Sequence, residues 1–443
     1  MTLRSLSTAV AMMLAVPMAT PMTAGAADLK GDIAADYDYL HELFVDFHKN
    51  PELSFRETRT AAKITDELKS LGFDVTTGVA GTGLVAKMKN GDGPLVMVRA
   101  DMDGLPIKEN TDLEYQSTVT QVDMNGNEMP VMHACGHDVH ITSLIGTARR
   151  LVAMKDNWSG TLMLVGQPAE EVISGAKAMI NDDIYKRFGT PDYALALHVA
   201  SNVPAGKVVY KSGIMFSSSD SVYITVHGVG THGASPHQGK DPIVIGAQIV
   251  NALQTLVSRE ISPLDPGVVT VGTFHAGTKN NIISDEAKLT LTVRSNDEEV
   301  RQKLLAGIKR IAENTGRVAG LPEDMLPTVE LSVTSAPATV NDEELTARLD
   351  KVLKEKLGED RLLPYVQRGM GAEDFSEFTM TDEDVPGFYF YVGGTLEEWM
   401  DAAKDGGPAV AGHHSPFFKI APEPAIKSGV EAMTIAVMDL MSK

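Results

Sequence analysis

The sequence has little cysteine and few positive charges relative to its negative ones. Cys135 is the only cysteine among 443 residues, so no disulfide can form within one chain. Lys and Arg number 39 against 59 Asp and Glu, which gives a formal net charge of −20. Nucleic acids and anionic membranes attract positively charged proteins, so this balance argues against both classes of partner.

Long apolar runs are also scarce, and the one of interest lies at the N-terminus. Arg4 precedes an apolar stretch at residues 9–18, and Ala24-Gly25-Ala26 offers an A-x-A-type cleavage site. The stretch is too short to remain as a membrane span. Residues 1–26 are therefore predicted to be a signal peptide, which implies a secreted or periplasmic protein with no membrane anchoring after cleavage. An unpaired thiol is a liability in such an oxidising compartment unless something, such as a metal, holds it.

Residues 132–140, M-H-A-C-G-H-D-V-H, concentrate side chains that bind metals. Cys135 and His137 flank a glycine that allows a tight turn, and His133 and His140 lie close by in the sequence. Thiolate and imidazole suit Zn, Co or Mn. Taken alone, the stretch is equally compatible with a buried small hydrophobic cysteine and polar residues at a helix N-terminus.

Two carboxylates follow a predicted strand at residues 95–99. Asp101 and Asp103 occur in R-A-D-M-D-G-L-P-I, at the carboxyl end of the strand, where open α/β sheets place their ligand sites. Without further information, they could equally serve only to cap the loop.

Two more predicted strands, at residues 160–166 and 193–197, end near ligand-type residues. The first leads into Q-P-A-E-E, with Glu170 and Glu171, and the second into His198. Adjacent carboxylates beside a metal can divide the work, since one binds the metal while the other takes a proton from the attacking water. Surface solvation explains most Glu-Glu pairs, and a lone histidine at a strand end is usually structural.

The chain is too long for one compact core, so two domains are expected. Helices and strands alternate over most of it. Residues 216–336 follow the order β-α-β-β-α-β, which is the ferredoxin-like split motif. The predicted organisation is a catalytic domain formed by residues 27–215 and 337–443, with residues 216–336 inserted between its two parts.

Together, these motifs resemble the metal-dependent aminoacylase/carboxypeptidase family. Within it they are similar to the amidohydrolase branch of hippurate hydrolases, N-acetyl-diaminopimelate deacetylases and indole-acetyl-amino-acid hydrolases. The resemblance covers nearly all of the mature chain, with the motifs in the family's order. The matching strings are H-K-N-P-E, R-A-D-M-D-G-L-P, M-H-A-C-G-H-D, Q-P-A-E-E, L-H-V, H-G-A-S-P-H, G-A-E-D-F and H-S-P-F-F.

The resemblance implies an α/β fold, with a mixed-sheet α/β/α zinc-peptidase-like catalytic domain and an inserted ferredoxin-like lid or dimerisation domain. It also implies two divalent metal ions (Zn, Mn or Co). Glu170 falls on the family's general base, and Asp103 on the carboxylate that orients a ligand imidazole. The implied metal ligands are Cys135, His137, Glu171, His198 and His414.

Further residues are implied on the substrate side. His232 matches a histidine that family members can lend across a dimer to polarise the scissile carbonyl, so a homodimer or larger homo-oligomer is expected. Asn281 and Arg294 match residues that hold the substrate's free α-carboxylate. Ser284 stands where many relatives have proline, and no glycine run follows Glu171, so the Asn281 loop and the pocket rim are expected to differ.

The expected function is hydrolysis of small N-acyl amino acids to a carboxylic acid and a free amino acid. A dipeptidase or carboxypeptidase on the same two metals is the alternative. A binding or metal-storage protein without catalysis is a third reading, but such a protein should have lost its general base and Glu170 is present. The residues of an acyl pocket cannot be recognised from these motifs.

Overall fold

The computed structural model describes residues 28–443. The predicted signal peptide, residues 1–26, lies outside the described residues. Within residues 28–443 no helix is long and apolar enough to cross a membrane.

The first part of the chain alternates helices with strands. Its helices are α1 (Leu29–Lys49), α2 (Thr58–Ser70), α3 (His137–Ala153), α4 (Gly175–Asn181) and α5 (Ile184–Phe188). Its strands are β1 (Asp74–Val79), β2 (Gly83–Asn90), β3 (Leu95–Asp101), β4 (Thr120–Val122), β5 (Glu128–Pro130), β6 (Gly160–Gln167), β7 (Tyr193–Pro204), β8 (Val208–Tyr210) and β9 (Gly213–Phe216).

The middle of the chain forms a separate small sheet, and strands from the last part join the same sheet as strands from the first part. The middle elements are β10 (Asp220–His227), β11 (Thr231–His232), α6 (Pro242–Thr255), β12 (Gly267–Ala276), β13 (Ile282–Ile283), β14 (Glu286–Ser295), α7 (Glu298–Val318) and β15 (Thr328–Leu331). The last elements are β16 (Thr339–Asn341), α8 (Glu343–Leu357), β17 (Leu362–Pro364), α9 (Ser376–Thr379), β18 (Gly387–Thr395), α10 (Glu397–Lys404) and α11 (Pro422–Met441).

An eight-stranded mixed sheet organises the first and last parts. Its order is β1-β2-β6-β3-β7-β18-β8-β17, and the four central strands β6, β3, β7 and β18 run parallel to one another. Their carboxyl ends therefore meet at one edge of the sheet, where α/β proteins bind ligands. The mixed sheet confirms the predicted fold class.

Side chains on the central strands alternate between two cores, because successive residues of a strand point to opposite faces. On β3, Val96 and Val98 pack with α1, α2, α3, α8 and α11, whereas Met97 packs with α4, α5 and α9. On β6, Leu164 belongs to the first of these cores and Val165 to the second. The sheet is thus covered by helices on both faces, as predicted.

The middle elements form a four-stranded antiparallel sheet with its own core. Its order is β12-β14-β10-β15, and helices α6 and α7 pack on it through a separate hydrophobic cluster that includes Ile249 and Ile308. The order and connections are those of the predicted ferredoxin-like motif. The exact division at residues 216 and 336 stays a prediction.

Two elements differ from the predicted bounds. Strand β7 does not end before His198 but continues to Pro204, because its pairing with β18 extends that far although its pairing with β3 stops at Ala196. The spacing of apolar residues predicts a helix over residues 242–259, but helix α6 ends at Thr255 and a π-helical segment, Leu256–Glu260, follows it.

A buried ion-pair triad ties α1 to the start of α3. The ring nitrogens of His48 lie 2.7 Å from Asp138 Oδ2 and 3.1 Å from Glu109 Oε1. Burial alone would lower the pKa of His48, but hydrogen bonds to the two carboxylates outweigh it and raise the pKa to about 9. His48 is therefore charged at neutral pH, and its two ion pairs fix how α1 packs against α3.

The stability contribution of His48 is expected to disappear at alkaline pH. The pKa of His48 is raised from 6.5 to about 9 on folding, so its protonation adds up to about 3 kcal/mol to the free energy of unfolding below pH 6.5. This contribution is lost as the pH rises through 9. The His48→Gln variant should thus be much less stable than wild type at pH 6 and approach it by pH 10. Paired chemical denaturation across this range measures the difference; a constant gap would contradict the charged triad.

Candidate metal centre

The turn before α3 places a thiol and an imidazole side by side. Gly136, between Cys135 and His137, has φ +86°, and a β-carbon there would lie 2.2 Å from a Val199 methyl group. Only glycine accommodates both the left-handed backbone and the close approach of β7. The turn therefore fixes Cys135 and His137 at the carboxyl edge of the sheet, with both side chains buried.

His198 approaches the same point from β7. Its Nδ1 donates to Val199 O over 2.7 Å, which leaves Nε2 as the unprotonated atom. That Nε2 lies 3.4 Å from Cys135 Sγ. An imidazole whose second nitrogen is held by a carbonyl is the usual arrangement for a metal ligand.

The Glu170–Glu171 pair follows β6 in a strained turn. Ala169 has φ +53°, a conformation that costs free energy for a residue with a β-carbon and is often found at functional sites. Asp103 holds the turn, because its carboxylate accepts from the backbone N–H groups of Glu170 and Glu171, both at 3.1 Å. The same carboxylate lies 3.3 Å from His137 Nδ1, close enough to orient the imidazole.

Of the two adjacent histidines near the C-terminus, His414 faces the carboxylates. It also has a positive φ, +63°, and its Nε2 lies 3.3 Å from Glu171 Oε2. His413 Nε2 instead donates to Val199 O over 2.9 Å, so its ring is already engaged. Of the two rings, only that of His414 is directed at a carboxylate, and its role as a metal ligand stays a prediction.

These side chains form overlapping groups that fit two metal ions. Potential ligand atoms lie within 4.8 Å of one another in three sets: Cys135, His137 and His198; Cys135, Glu171 and His414; and His137, Glu170 and Glu171. His137 Nε2 and Glu171 Oε1 are buried without a hydrogen-bond partner among the described residues, although such atoms are rarely left unsatisfied. Sulfur, imidazole and carboxylate donors suit Zn, Co or Mn.

Beneath this cluster lies a buried network around Arg99. Its guanidinium donates to Asp101 Oδ2 and Glu373 Oε1, both at 2.7 Å, and its Nε donates to Gln167 over 2.7 Å. Asp101 in turn accepts from His140 Nδ1 at 2.6 Å. Because Val199 N–H donates to His140 Nε2, both nitrogens of His140 are occupied and it supports the site without a free ligand atom.

Negative charge exceeds positive charge in this region. Burial raises the pKa of Glu170, and the nearby Glu373 and Glu171 raise it further. Burial, followed by the negative charges of Glu171 and Glu170, raises the pKa of the Cys135 thiol well above its ordinary value. Bound cations would reverse this effect on Cys135, since metals stabilise thiolates.

Two spaces that share part of their walls lie beside this cluster, and we call them the metal pocket and the outer cavity. The metal pocket has a volume of about 400 Å³ and is lined by Cys135, Glu170, Glu171, Ile173, His198, Phe216, Arg294, Gly371, Ala372, Glu373, Tyr391, His413 and His414. The outer cavity, about 550 Å³, shares Phe216, Gly371, Tyr391 and His413 with it and is otherwise lined by residues 200–204, Val209, Met215, 363–366, Arg368, Gly369 and Gly412.

The three predicted substrate-side residues separate into two groups. Arg294, on β14, lines the metal pocket. His232 and Asn281 are exposed and lie beside each other, since Gly233 N–H donates to Asn281 O and β11 pairs with β13. Neither lines the metal pocket, so one chain alone does not bring them to the metal ligands.

The sequence motifs had assigned no role to Arg99, Glu373 or Asp374, which belong to this network. The signal was present in V-M-V-R-A-D, where an arginine interrupts a buried strand, and in G-A-E-D-F, which contains Glu373 and Asp374. A charged residue in an apolar strand requires a buried counter-charge, but the sequence does not say which of many carboxylates supplies it.

Comparison with known proteins finds similar chains and structures that cover most of this chain. The chain is 37% identical over 369 residues to thermostable carboxypeptidase 2 of Saccharolobus solfataricus, covering 82% of this chain and 88% of the relative. It is 38% identical over 335 residues to the hippurate hydrolase of Campylobacter jejuni, covering 75% and 82%. A solved Bacillus subtilis structure, described as a dinuclear metal-binding peptidase of family M20, superposes with a TM-score of 0.72 at 27% identity, covering 92% of this chain and 100% of that one.

The model of peptidase family M20/M25/M40 matches residues 97–438, a range that contains the thiol, imidazole and carboxylate cluster. This match spans most of the chain and agrees with the resemblance found in the motifs. The protein therefore belongs to peptidase family M20/M25/M40 and is a metal-dependent hydrolase of carbon–nitrogen amide bonds.

Proposed function

We propose that the protein hydrolyses N-acyl amino acids to a carboxylic acid and a free amino acid. The outer cavity is the observation that carries the proposal. A dipeptidase needs a group that binds a free α-amino group, whereas an acylase needs an apolar acyl site. Among the described residues, no Asp or Glu lines the outer cavity, and its walls include Met215, Phe216 and Tyr365. The hippurate hydrolase relative supports the same class of substrate.

The proposed mechanism assigns each nearby side chain one task. Cys135, His137, Glu171, His198 and His414 would hold two metal ions, with Asp103 orienting His137. When bound, the metal ions lower the pKa of a water molecule and polarise the scissile carbonyl. Glu170 takes a proton from the attacking water and delivers it to the leaving amine nitrogen. Its raised pKa favours this role.

Arg294 is proposed to hold the α-carboxylate of the amino-acid half. It lines the metal pocket and is half-buried, and burial lowers the pKa of its guanidinium, as expected for a cation partly removed from water. A guanidinium can bind a carboxylate through two parallel hydrogen bonds. This would orient the amide between the metal ligands and Glu170.

A homodimer is proposed to supply His232 and Asn281 to the site. Strand β12 is an edge of the inserted sheet and is largely exposed, and such edges are usually covered by a partner or protected. Ile243 and Val244 on α6 and Phe274 on β12 are exposed apolar side chains on the same inserted unit. If these surfaces pair, His232 of one chain can reach the scissile carbonyl held by the other and stabilise its oxyanion.

A paired substrate assay tests the proposed function. Mature protein reconstituted with Zn, Mn or Co should release amino acid from N-acetyl- and N-benzoyl-amino acids, and chelator should abolish the release. Unblocked dipeptides should be poor substrates, because the outer cavity lacks a carboxylate for their amino group. Preferential cleavage of dipeptides would overturn the acylase proposal in favour of the carboxypeptidase or dipeptidase alternative, which the carboxypeptidase relative supports.

Metal binding and proton transfer are expected to separate by mutation. Glu170→Gln should retain metal but lower turnover by about a hundred- to ten-thousand-fold, because the general base is lost. Cys135→Ser is the matched control and should lower metal content measured by elemental analysis. Substantial turnover in Glu170→Gln would remove it as the base, and full metal content in Cys135→Ser would remove that ligand.

The contribution of His232 across a dimer can be tested with mixed dimers. Glu170→Gln and His232→Ala chains with different tags are co-expressed and purified through both tags. The mixed dimer should have about half of wild-type activity, since one of its two symmetric sites is complete.

The control dimer pairs wild type with a chain carrying both substitutions. It should be inactive, because the wild-type chain then lacks its partner's imidazole and the other chain lacks its base. Activity in the control and none in the first dimer would show that His232 acts within its own chain.

A further inference from the structure

The outer cavity contains a cationic side chain without a counter-ion. Arg368 lines this cavity but not the metal pocket, and it is exposed. Within residues 28–443 its guanidinium forms no ion pair with any carboxylate. Most other arginines of the described residues form an ion pair with a carboxylate. Arg301, for instance, pairs with Asp220, and Arg361 pairs with Glu431.

Aromatic rings connect the metal pocket to the part of the cavity that contains Arg368. Phe216 and Tyr391 line both spaces, with ring centroids 5.4 Å apart. Tyr365 stacks on Tyr391 at 5.7 Å and an interplanar angle of 8°, and its hydroxyl donates to Met215 O over 2.7 Å. These contacts give a fixed apolar wall along which an acyl chain can pack as it leaves the metal ligands.

The local charge contrasts with that of the whole protein. The net charge is −20, yet no acidic side chain lines the outer cavity. Lys211 adds a second positive charge near this wall, with its Nζ 5.3 Å from the centre of the Tyr365 ring. A cavity walled by low-dielectric groups concentrates the field of the charges that line it, so an anion is favoured here.

We propose that the outer cavity takes acyl groups whose far end carries a carboxylate, and that Arg368 binds this carboxylate. The inference rests on the proposed function and narrows its substrate class to amino acids acylated by dicarboxylic acids. The chemistry is unchanged: the amide C–N bond breaks, the acyl carbon gains the hydroxyl of water and the amine gains a proton. Arg368 is thus a specificity-determining residue, which touches the substrate far from the reacting atoms.

Matched substrates separate charge from length. L-alanine acylated with succinyl, glutaryl, adipoyl or suberoyl is compared with the neutral butanoyl, pentanoyl, hexanoyl or octanoyl compound of equal carbon number. N-acetyl-L-alanine reports basal hydrolysis, and N-acetyl-L-glutamate moves the second carboxylate to the amino-acid half. Wild type should prefer the diacid member of at least one pair, with the difference mainly in KM.

Arg368→Gln should reduce that preference about tenfold or more, the range expected when a hydrogen-bonded charge pair loses its cation. It should leave hydrolysis of N-acetyl-L-alanine unchanged. Arg368→Lys should retain part of the preference because the charge remains. The matched control is Arg56→Gln, which removes an exposed arginine outside both spaces and should keep the full preference.

A binding measurement tests, independently of turnover, whether Arg368 binds the carboxylate at the far end of the acyl group. Calorimetric titration of the Glu170→Gln variant with the best diacid pair should show tighter binding of the charged member, and adding Arg368→Gln should abolish the difference. If wild type cleaves only unblocked dipeptides, the proposed function fails while this titration still tests Arg368. Three outcomes would overturn the inference: no diacid preference at any length, an equal loss in Arg56→Gln, or a preference for N-acetyl-L-glutamate that depends on Arg368.

Discussion

The buried carboxylates around Arg99 impose the main physical constraint on this structure. Six carboxylates are buried at the carboxyl edge of the sheet, those of Asp101, Asp103, Glu170, Glu171, Glu373 and Asp374. One guanidinium, that of Arg99, cannot balance them. Buried charge is costly unless it is paired, so the region requires further cations. Arg99 compensates the negative charges of Asp101 and Glu373, and the metal ions are proposed to compensate those beside the metal ligands.

The same constraint joins distant parts of the chain. Arg99 on β3 bonds to Glu373 across a sequence separation of 274 residues, and Gln167 at the end of β6 bonds to Asp374. These contacts fix the segment that carries G-A-E-D-F against the parallel strands. Since Glu373 and Gly371 also line the metal pocket, the charge network sets the shape of the space beside Glu170.

Charge is arranged in zones from the interior outward. The carboxylates and Arg99 lie deepest. Arg294 lines the metal pocket, and Arg368 lines the outer cavity, whose walls include no Asp or Glu. In the proposed binding mode, a substrate with a negative charge at each end would meet the guanidinium of Arg294 in the metal pocket and that of Arg368 in the outer cavity. The inserted sheet contributes Arg294 directly, while its exposed His232 lies elsewhere on the same unit, which is the arrangement expected if two chains complete each other's sites.

The sequence by itself determined the class of fold, and it predicted where a metal site would lie and which residues would hold the metals. Periodicity in the apolar residues predicted the central strands, the long helices and the order of the inserted unit, because these patterns are local. The stretch around Cys135 and His137, the pair after β6 and the histidine on β7 pointed to a metal site, because parallel strands bring their ends to one edge. Only the tertiary structure showed that His140 is fully engaged, that Arg99 pairs with Glu373, and that His413 bonds to Val199 while His414 faces Glu171. It alone revealed the outer cavity and Arg368 within it, because these depend on contacts between residues far apart in the chain, whose pairing no local pattern encodes.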